Sequence, residues 1–417
     1  MALVTSHVNS LLVVVVAVQC VYSQRLICSK EIVCDIDDIQ SMDDFFVNQY
    51  VPSDVKSVRY RNVLLDKVEG YFFHAIRRHV KNVDIIQSPA LRWISIPGQM
   101  NVSSYSVIQT SVRNIQIDAR NAITVFSVSD SKLVMIPESI INLRASVNIA
   151  VERCLVDALD MANFCDLSQL QVLNFAANRI RFIINSSTRR CSVYDSLQIL
   201  ALPNNLLTTL NMEIFNHFGK IQMLDVKQNR IKVVLGRFES MASLQLLLSK
   251  NKLTSIDFCG WNVPNMTSLE IDYNELTIVP ACLDNVNSLT LLSIRTNRIQ
   301  NVAIDSFAKM KRLVTLDVSF NNLTTIMLNS LHYPTSLRDL WITGNNLSQL
   351  DLSSVSVPSL ELDVRMNCIS SMDVDSISPN ITRLNMAANP IDCSWKTVAD
   401  RINVTCVDDV QSKARCT

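Results

Sequence analysis

The side chains in this sequence that could bind a metal or act as nucleophiles belong to twelve cysteines and five histidines. Two cysteine pairs have regular spacing, because Cys165 and Cys191 lie 26 residues apart and Cys259 and Cys282 lie 23 residues apart. A structural zinc site needs further ligands, and neither a histidine nor a C-x-x-C motif accompanies either pair. We therefore predict two disulfides, no metal site and no cofactor.

The histidines and glycines argue against an enzyme. None of the histidines stands in a hydrolase, metalloprotease or phosphate-loop motif. Only six of the 417 residues are glycines, which argues against a glycine-rich phosphate-binding loop. The balance of 38 basic and 38 acidic residues gives no support for binding to nucleic acid or to an anionic membrane. The sequence predicts a protein without catalytic activity.

A second set of residues has the composition of a protein-binding hot spot. It mixes aromatic side chains with arginine and aspartate, as the centres of protein interfaces do. The set consists of Tyr273, Arg295, Asp317, Phe320, Asp339, Trp341 and Arg365. These side chains can form one surface only if the elements that carry them stack side by side.

A regular repeat supplies that stacking. Asparagine recurs at intervals of 22 to 27 residues, at Asn178, Asn205, Asn229, Asn251, Asn274, Asn297, Asn321, Asn345, Asn367 and Asn389. An apolar frame surrounds each one, most clearly at Leu313, Leu316, Val318, Asn321 and Leu323. The frame L-x-x-L-x-L-x-x-N-x-L, with a period of about 20–29 residues, is the leucine-rich repeat.

The frame predicts an α/β solenoid. We expect a leucine-rich repeat horseshoe with a concave parallel β-sheet and an irregular, 3-10 or short-helix convex side. Residues two apart in a strand, such as Leu316 and Val318, point to one face, and stacked repeats bury that face together. The asparagine amide both donates and accepts, so a column of asparagines can satisfy the turns that follow the strands.

Register assigns the hot-spot residues to the concave face. Positions two, four, six and seven after the first leucine of the frame project from it, which places Tyr273, Phe320 and Trp341 within about 20 Å of sheet. Either these aromatic side chains contact a partner, or they fold back onto the sheet.

The repeat also divides the chain. Residues 1–23 are predicted to be a signal peptide, residues 24–52 an N-terminal cap, residues 53–391 the repeats and residues 392–417 a C-terminal cap. Repeats are regular over 170–391 and degenerate up to about residue 169, where the asparagine is missing. In that stretch we trace the frame through Val112, Ile115 and Ile117, among others.

Disulfides are expected to close both caps. Cys28 and Cys34 would close an N-terminal hairpin that covers the first strand. Cys393 and Cys416 are predicted to be disulfide-bonded in the C-terminal cap, where Trp395 covers the end of the core. Both caps would then protect open ends of the solenoid.

Three further cysteines are less regular. Cys154 occupies a core position of the frame and is expected to be a buried free thiol. Cys368 and Cys406 have no assigned partner, and either could bond to another chain.

Several features predict secretion. The apolar run from Leu11 to Val18 is too short to span a bilayer and precedes small residues, as in a signal peptide cut after Ser23. The polar C-terminus is not a membrane anchor. Glycosylation sequons lie at Asn101, Asn185, Asn265, Asn322, Asn346, Asn380 and Asn403. Asn322 and Asn346 each follow a ladder asparagine and should point outward.

Together these features resemble the leucine-rich repeat immune proteins of mosquitoes. The likeness rests on the signal peptide, the cysteine hairpin, degenerate repeats followed by regular ones, and the N-P-x-x-C-x-W motif at 389–395. The resemblance implies secretion into haemolymph and partners such as a complement-like thioester protein or another leucine-rich repeat protein. Members that pair through disulfides continue into coiled-coil heptads, so this chain resembles a coil-less member.

Two functions are consistent with the sequence. The first is a secreted binding protein that acts in insect innate immunity through protein–protein recognition. The second is an extracellular adhesion, matrix or signalling-ligand binding protein built on the same solenoid. Neither requires nucleic acid or a membrane span.

Overall fold

The structure is a computed structural model that describes residues 14–15, 25–29, 33–73, 76, 78–394, 402–407 and 416. The predicted signal peptide, apart from Val14–Val15, and Trp395 lie outside the described residues. The chain divides into two compact units, Met1–Leu206 and Leu207–Thr417.

The first unit is built on a sheet of stacked strands. Arg25–Cys28 pairs antiparallel with Val33–Asp37 and with Val14–Val15, and every later strand of this sheet runs parallel to its neighbour. In order after Val33–Asp37, these parallel strands are Ser57–Arg61, Asn82–Ser88, Ser104–Thr110, Val125–Ser129, Asn148–Glu152, Val172–Asn174 and Ile199–Ala201.

Shorter elements complete the first unit. Lys67–Val68, Trp93–Ile96 and Asn114–Ile117 form a parallel three-stranded sheet, and Ala158–Asp160 pairs with Phe182–Ile184. The 3-10 helices of the unit are Met42–Tyr50, Gly70–Phe73, Glu138–Asn142, Met161–Phe164 and Ser192–Asp195.

The second unit repeats this plan with greater regularity. Its main sheet is parallel and consists of Met223–Asp225, Gln245–Leu247, Ser268–Glu270, Leu291–Ser293, Thr315–Asp317, Asp339–Trp341, Leu360–Asp363, Ile381–Asn385 and Asn403–Thr405. The minor strand pairs are Thr209–Asn211 with Val233–Leu235, Phe238–Glu239 with Trp261–Asn262, and Asn301–Ala303 with Thr325–Met327. The 3-10 helices are Met212–Phe215, Leu283–Val286 and Ile304–Phe307.

The core has the composition that the repeat frame predicts. Leu313, Leu316, Val318 and Leu323 are all fully buried, because one face of each short strand points inward. Phe307, in the 3-10 helix Ile304–Phe307, is fully buried as well. The predicted leucine-rich repeat solenoid, with its parallel sheet and 3-10 convex elements, is confirmed.

The ladder asparagines satisfy backbone groups between successive repeats. Asn297 is typical, since its Oδ1 accepts from the N–H of Leu276 at 3.0 Å in the preceding repeat. Its Nδ2 donates to the carbonyls of Ile271 and Ile294, each at 3.0 Å. One side chain therefore joins two repeats in a site that excludes water.

The residue before each ladder position has left-handed backbone. These residues, with φ between 48° and 68°, are Asp38, Asn62, Gln87, Gln109, Asp130, Arg153, Ala177 and Asn204 in the first unit, and Gln228, Lys250, Tyr273, Thr296, Phe320, Gly344, Met366 and Ala388 in the second. The turn thus recurs in the early repeats as well, where no asparagine marks it.

In the early repeats, hydroxyl groups replace the asparagine. Ser88 accepts from the N–H of Val63 at 2.9 Å, and the hydroxyls of Thr110 and Ser131 lie 2.8 Å apart. Cys154 occupies the next ladder position, where its Sγ lies 3.3 Å from the Glu152 carbonyl oxygen. Burial raises the pKa of the Cys154 thiol, so this buried free cysteine is a neutral member of the ladder.

The sequence-based frame at Val112, Ile115 and Ile117 was assigned to the wrong strand. Ile115 and Ile117 belong to Asn114–Ile117 of the three-stranded side sheet, whereas the main sheet uses Ser104–Thr110. Both strands alternate buried and exposed residues, so the apolar pattern alone does not distinguish them.

Disulfides join Cys28 to Cys34, Cys165 to Cys191 and Cys259 to Cys282, as the sequence predicts. The structure assigns the C-terminal pairs that the sequence left open. Cys416 bonds to Cys368 and Cys393 bonds to Cys406, so neither Cys368 nor Cys406 is left to bond another chain. The carbonyl oxygen of Asn367 lies 3.6 Å from the Cys416 sulfur, which shows that the chain end returns to the ladder.

Candidate functional site

A hollow of about 630 Å³ lies on the exposed face of the main sheet in the second unit. We call it the concave hollow. Its aromatic and charged lining residues are Arg295, Phe320, Trp341, Glu361, Asp363, Arg365 and Arg383, and its remaining lining residues are Ser319, Thr343, Leu362, Met366 and Asn385. The volume is within the range of known ligand sites, about 300–1,000 Å³.

Two aromatic residues form the apolar part of the concave hollow. Trp341 ends the strand Asp339–Trp341 and is 42% exposed, which is unusual for a side chain of this size. Phe320 lies at the left-handed turn position of the preceding repeat, with φ of 53°. Met366, which is 37% exposed, occupies the same turn position two repeats after Phe320. An apolar side chain from a partner would find three apolar surfaces here.

Arg295 covers Phe320. The guanidinium carbon of Arg295 lies 4.4 Å from the centroid of the Phe320 ring, which is a cation–π contact. The nearest carboxylate oxygen in an ion pair with it, Asp317 Oδ2, is 3.9 Å away. The backbone N–H of Arg295 donates to Asp272 Oδ1 at 2.9 Å, and this bond fixes the start of the side chain.

The other two arginines have closer counter-ions. Arg365 contacts both oxygens of Asp363, with Nη2 to Oδ2 at 2.7 Å and Nε to Oδ1 at 3.0 Å. These hydrogen bonds raise the pKa of Arg365. Arg383 lies 3.5 Å from Glu361, which is a looser and exposed pair. The acidic residues of the lining are thus already paired with arginines of the same surface.

The structure brings together four of the seven predicted binding residues. Arg295, Phe320, Trp341 and Arg365 line the concave hollow. Tyr273 is 49% exposed but does not line the hollow; the Nζ of Lys250 lies 5.7 Å from its ring centroid.

Two aspartates of the predicted set do not line the concave hollow. Asp317 is only 5% exposed, because Arg295 approaches it and its Oδ1 accepts from the Ser319 N–H at 2.8 Å. Asp339 lines a different depression, near the start of its strand, where its Oδ2 accepts from the Thr315 hydroxyl at 3.1 Å.

Sequence reasoning missed several lining residues. Glu361 and Arg383 occupy the second position of the frame and Met366 the seventh, so register had already placed them on the concave face. Gly344 was also missed, although it controls the aromatic floor of the hollow.

Gly344→Ala is expected to destabilise the fold by about 1–2 kcal/mol. An added Cβ would lie 2.7 Å from both Cδ1 and Cε1 of Phe320, and the backbone is left-handed, with φ of 68°. Other repeats carry ordinary side chains at this turn, so the Phe320 ring is the cause of the requirement for glycine. Urea denaturation of the variant measures the effect.

The matched control is Gly219→Ala, since no atom lies within 4 Å of a Cβ added there. Its unfolding free energy should change by less than about 0.5 kcal/mol. The double variant Gly344→Ala with Phe320→Ala should recover most of the loss, because the clash disappears. An equal loss in the presence and absence of Phe320 would contradict this explanation.

The predicted glycosylation sites differ in accessibility. Asn322, Asn346 and Asn403 are exposed. Asn101 and Asn265 are exposed, but their Nδ2 atoms donate to the carbonyls of Arg78 and Met241. Asn185 and Asn380 are half-buried, with Nδ2 bonded to the Tyr194 hydroxyl at 2.7 Å and to the Val355 carbonyl at 2.6 Å. A glycan on either of these two would have to replace that bond.

One group of possible metal ligands lies among the described residues. Asp257, Cys259 and Cys282 offer ligand atoms within 4.8 Å of one another. The two sulfurs form a disulfide with each other, so neither is available as a thiolate. A single exposed carboxylate remains, which is too little for a metal site.

Comparison with known proteins identifies the repeats. The family model described as leucine rich repeat matches residues 195–253 and 287–347. The human protein named leucine-rich repeats and immunoglobulin-like domains protein 1 is 32% identical over 98 residues. That alignment covers 23% of this chain and 9% of the human protein, so the chain matches only a small part of its length.

Solved structures share the fold. A leucine-rich repeat protein of Leptospira interrogans has a TM-score of 0.53 at 15% identity, with 88% of this chain and 99% of that chain covered. The mosquito LRIM1/APL1C complex has a TM-score of 0.51 at 16% identity, with 92% of this chain and 70% of that chain covered. At such low identity the similarity establishes the solenoid fold alone.

Proposed function

We propose that this leucine-rich repeat protein is an extracellular recognition protein of insect innate immunity that binds a protein partner in the concave hollow. The observation that carries the proposal is the half-exposed Trp341, which lies in the same hollow as Phe320 and its Arg295 cover. Tryptophan and arginine are the residues that most often dominate binding energy when a partner buries them. The chain acts as a binding protein and not as an enzyme.

The arrangement favours recognition of a side chain that enters the hollow. Partly exposed Trp341 and Met366 lose contact with water when an apolar group covers them, and this burial is worth about 25 cal/mol per Å². Phe320 contacts both Arg295 and Gly344, which fix the position of its ring before a partner binds. A pre-organised surface binds more tightly because less side-chain entropy is lost.

Disulfides support an extracellular location. The described residues contain five disulfides, which form and persist in oxidising compartments. Exposed sequons at Asn322 and Asn346 are compatible with passage through the secretory route. None of the helices in the described part of the chain has both the length and the apolar character of a bilayer-spanning helix.

The immune role rests on the resemblance in sequence pattern to the mosquito leucine-rich repeat immune proteins. LRIM1 and APL1C, which share the fold, are themselves found in a complex. By analogy, the partner is another leucine-rich repeat protein or a complement-like thioester protein of haemolymph.

The test is capture of partners from the haemolymph of infected insects. The tagged full chain is compared with Trp341→Ala/Phe320→Ala and with a matched double variant, Ile278→Ala/Leu331→Ala. Ile278 and Leu331 are 63% and 82% exposed and do not line the concave hollow. Trp341→Ala/Phe320→Ala should capture at least about tenfold less partner than the wild type, which corresponds to a loss of about 1.4 kcal/mol in binding free energy. The control double variant should capture as much partner as the wild type.

Thermal denaturation of all three proteins verifies that they are folded. The proposal is contradicted if folded Trp341→Ala/Phe320→Ala captures the same partners in amounts within about twofold of the wild type.

A further inference from the structure

The concave hollow contains one arginine whose hydrogen-bond donors are unused. Arg365 and Arg383 pair with Asp363 and Glu361. Among the described residues, no acceptor lies within hydrogen-bond distance of the Arg295 guanidinium, and its closest carboxylate oxygen is 3.9 Å away. Because the Arg295 side chain is 40% exposed, its donors are open to a ligand.

The Arg295 guanidinium is also held in place. It lies 4.4 Å from the centroid of Phe320, and the Phe320 ring also packs closely against Gly344. Asp272 anchors the backbone N–H of Arg295 at 2.9 Å and accepts from the Ser293 hydroxyl at 2.5 Å. A planar guanidinium that is fixed in this way matches the two oxygens of a carboxylate.

The acidic groups around the concave hollow leave the Arg295 donors open. Glu361 and Asp363 pair with Arg383 and Arg365. Buried Asp317 balances the charge of Arg295 from 3.9 Å, which is too far for it to accept a hydrogen bond. A partner carboxylate can therefore contact Arg295 without displacing an existing bond.

On the basis of the proposed function, we infer that the partner segment presents a carboxylate to Arg295 and a neighbouring apolar side chain to Trp341. The carboxylate belongs to an aspartate or glutamate side chain or to a free C-terminus. Both sources offer the same two oxygens, and the experiment distinguishes them. A segment that presents an amide or an ammonium group at this position gains no such contact.

The experiment selects random peptides on the purified full chain. One library displays peptides internally, so that only side-chain carboxylates are available, and a second displays peptides with a free C-terminus. Enriched peptides are then measured against wild type, Arg295→Gln, Arg295→Lys and Arg312→Gln. Arg312 is an exposed arginine of the same unit outside the concave hollow, which makes it the matched control.

Enriched peptides should carry an acidic residue or a free carboxylate next to an aromatic or aliphatic residue. Their affinity should fall at least about tenfold for Arg295→Gln, since hydrogen bonds to charged groups are strong. Arg295→Lys should bind with intermediate affinity because it keeps the charge but loses the two-pronged contact. Arg312→Gln should bind like the wild type.

Enrichment of neutral or basic peptides, or unchanged binding by Arg295→Gln, would overturn the inference. If peptides bind Arg295→Gln normally but lose affinity for Trp341→Ala/Phe320→Ala, the proposed function stands and the carboxylate contact does not. Selected peptides that depend on neither site, or a selection that yields none, would count against both.

Discussion

Asn345→Ala is expected to lower the free energy of unfolding by about 3 kcal/mol. Asn345 is 1% exposed, and its Oδ1 accepts from the N–H groups of Asn321 and Leu323, each at 3.1 Å. Alanine leaves both of these buried N–H groups without an acceptor, and each orphaned group costs about 1–3 kcal/mol.

Carbonyl groups contribute less to this loss. Asn345 Nδ2 donates to the carbonyls of Val318 and Ile342, at 3.2 and 2.9 Å. Val318 keeps a second bond from Asn321, and Ile342 keeps one from Asn367. Each of the two carbonyls therefore keeps a hydrogen bond in Asn345→Ala, whereas the two N–H groups lose their acceptor. The expected loss of unfolding free energy comes mainly from the two N–H groups.

Urea denaturation followed by circular dichroism measures the effect. The control is Asn287→Ala, an exposed asparagine of the same unit, whose replacement should change the unfolding free energy by less than about 0.5 kcal/mol. A midpoint for Asn345→Ala that coincides with the control would show that the ladder contributes little to stability. The slope of the transition must be compared too, because repeat proteins can lose cooperativity.

The asparagine ladder could be predicted from sequence because one residue type, whose amide both donates and accepts, recurs at this turn in every regular repeat. In the early repeats the ladder positions are occupied by hydroxyl or thiol side chains, at Ser88, Thr110, Ser131 and Cys154. These residue types also occur at many other positions of the chain, so they do not mark the ladder. The turn itself carries no glycine there to mark it. In the early repeats the residue types therefore mark the ladder position less distinctly than asparagine does.

The candidate site was predicted in part for a related reason. Frame position gives the direction of a side chain, and four of the residues chosen by it line the concave hollow, namely Arg295, Phe320, Trp341 and Arg365. Exposure depends in addition on the size of the neighbours. Asp317 points the same way as Trp341, its partner in register, yet Arg295 reaches across the sheet and covers it. Whether one side chain covers another in this way depends on side-chain conformation, which the repeat pattern does not determine.

The C-terminal cysteines could not be paired by the repeat rule. The disulfides Cys165–Cys191 and Cys259–Cys282 each join adjacent repeats. The two cysteines of each pair are therefore about one repeat period apart in sequence, and this spacing predicted the pairing. Cys368–Cys416 spans 48 residues, about two periods, and Cys416 lies outside the repeats, so the repeat period does not connect the two cysteines. Which of these cysteines form disulfides with one another depends on the path of the chain after residue 391.

This pairing predicts the largest loss of stability. Replacing both Cys368 and Cys416 by serine removes a link across 48 residues, which the chain-entropy model values at about 4 kcal/mol. Replacing both Cys393 and Cys406 removes a link across 13 residues, valued at about 3 kcal/mol. Both members of each pair are changed so that no free thiol remains to exchange. Urea denaturation under non-reducing conditions should therefore rank the first variant as the less stable.

Cys154→Ser serves as the control, because Cys154 forms no disulfide and serine can keep its contact with the Glu152 carbonyl. Its effect should stay within about 1 kcal/mol. Proteolysis of the unreduced wild type should release one linked peptide pair that contains Cys368 and Cys416 and another that contains Cys393 and Cys406. A linked pair that contains Cys393 and Cys416 would contradict the structure of the tail. It would also leave both Cys368 and Cys406 without the partners that the structure gives them.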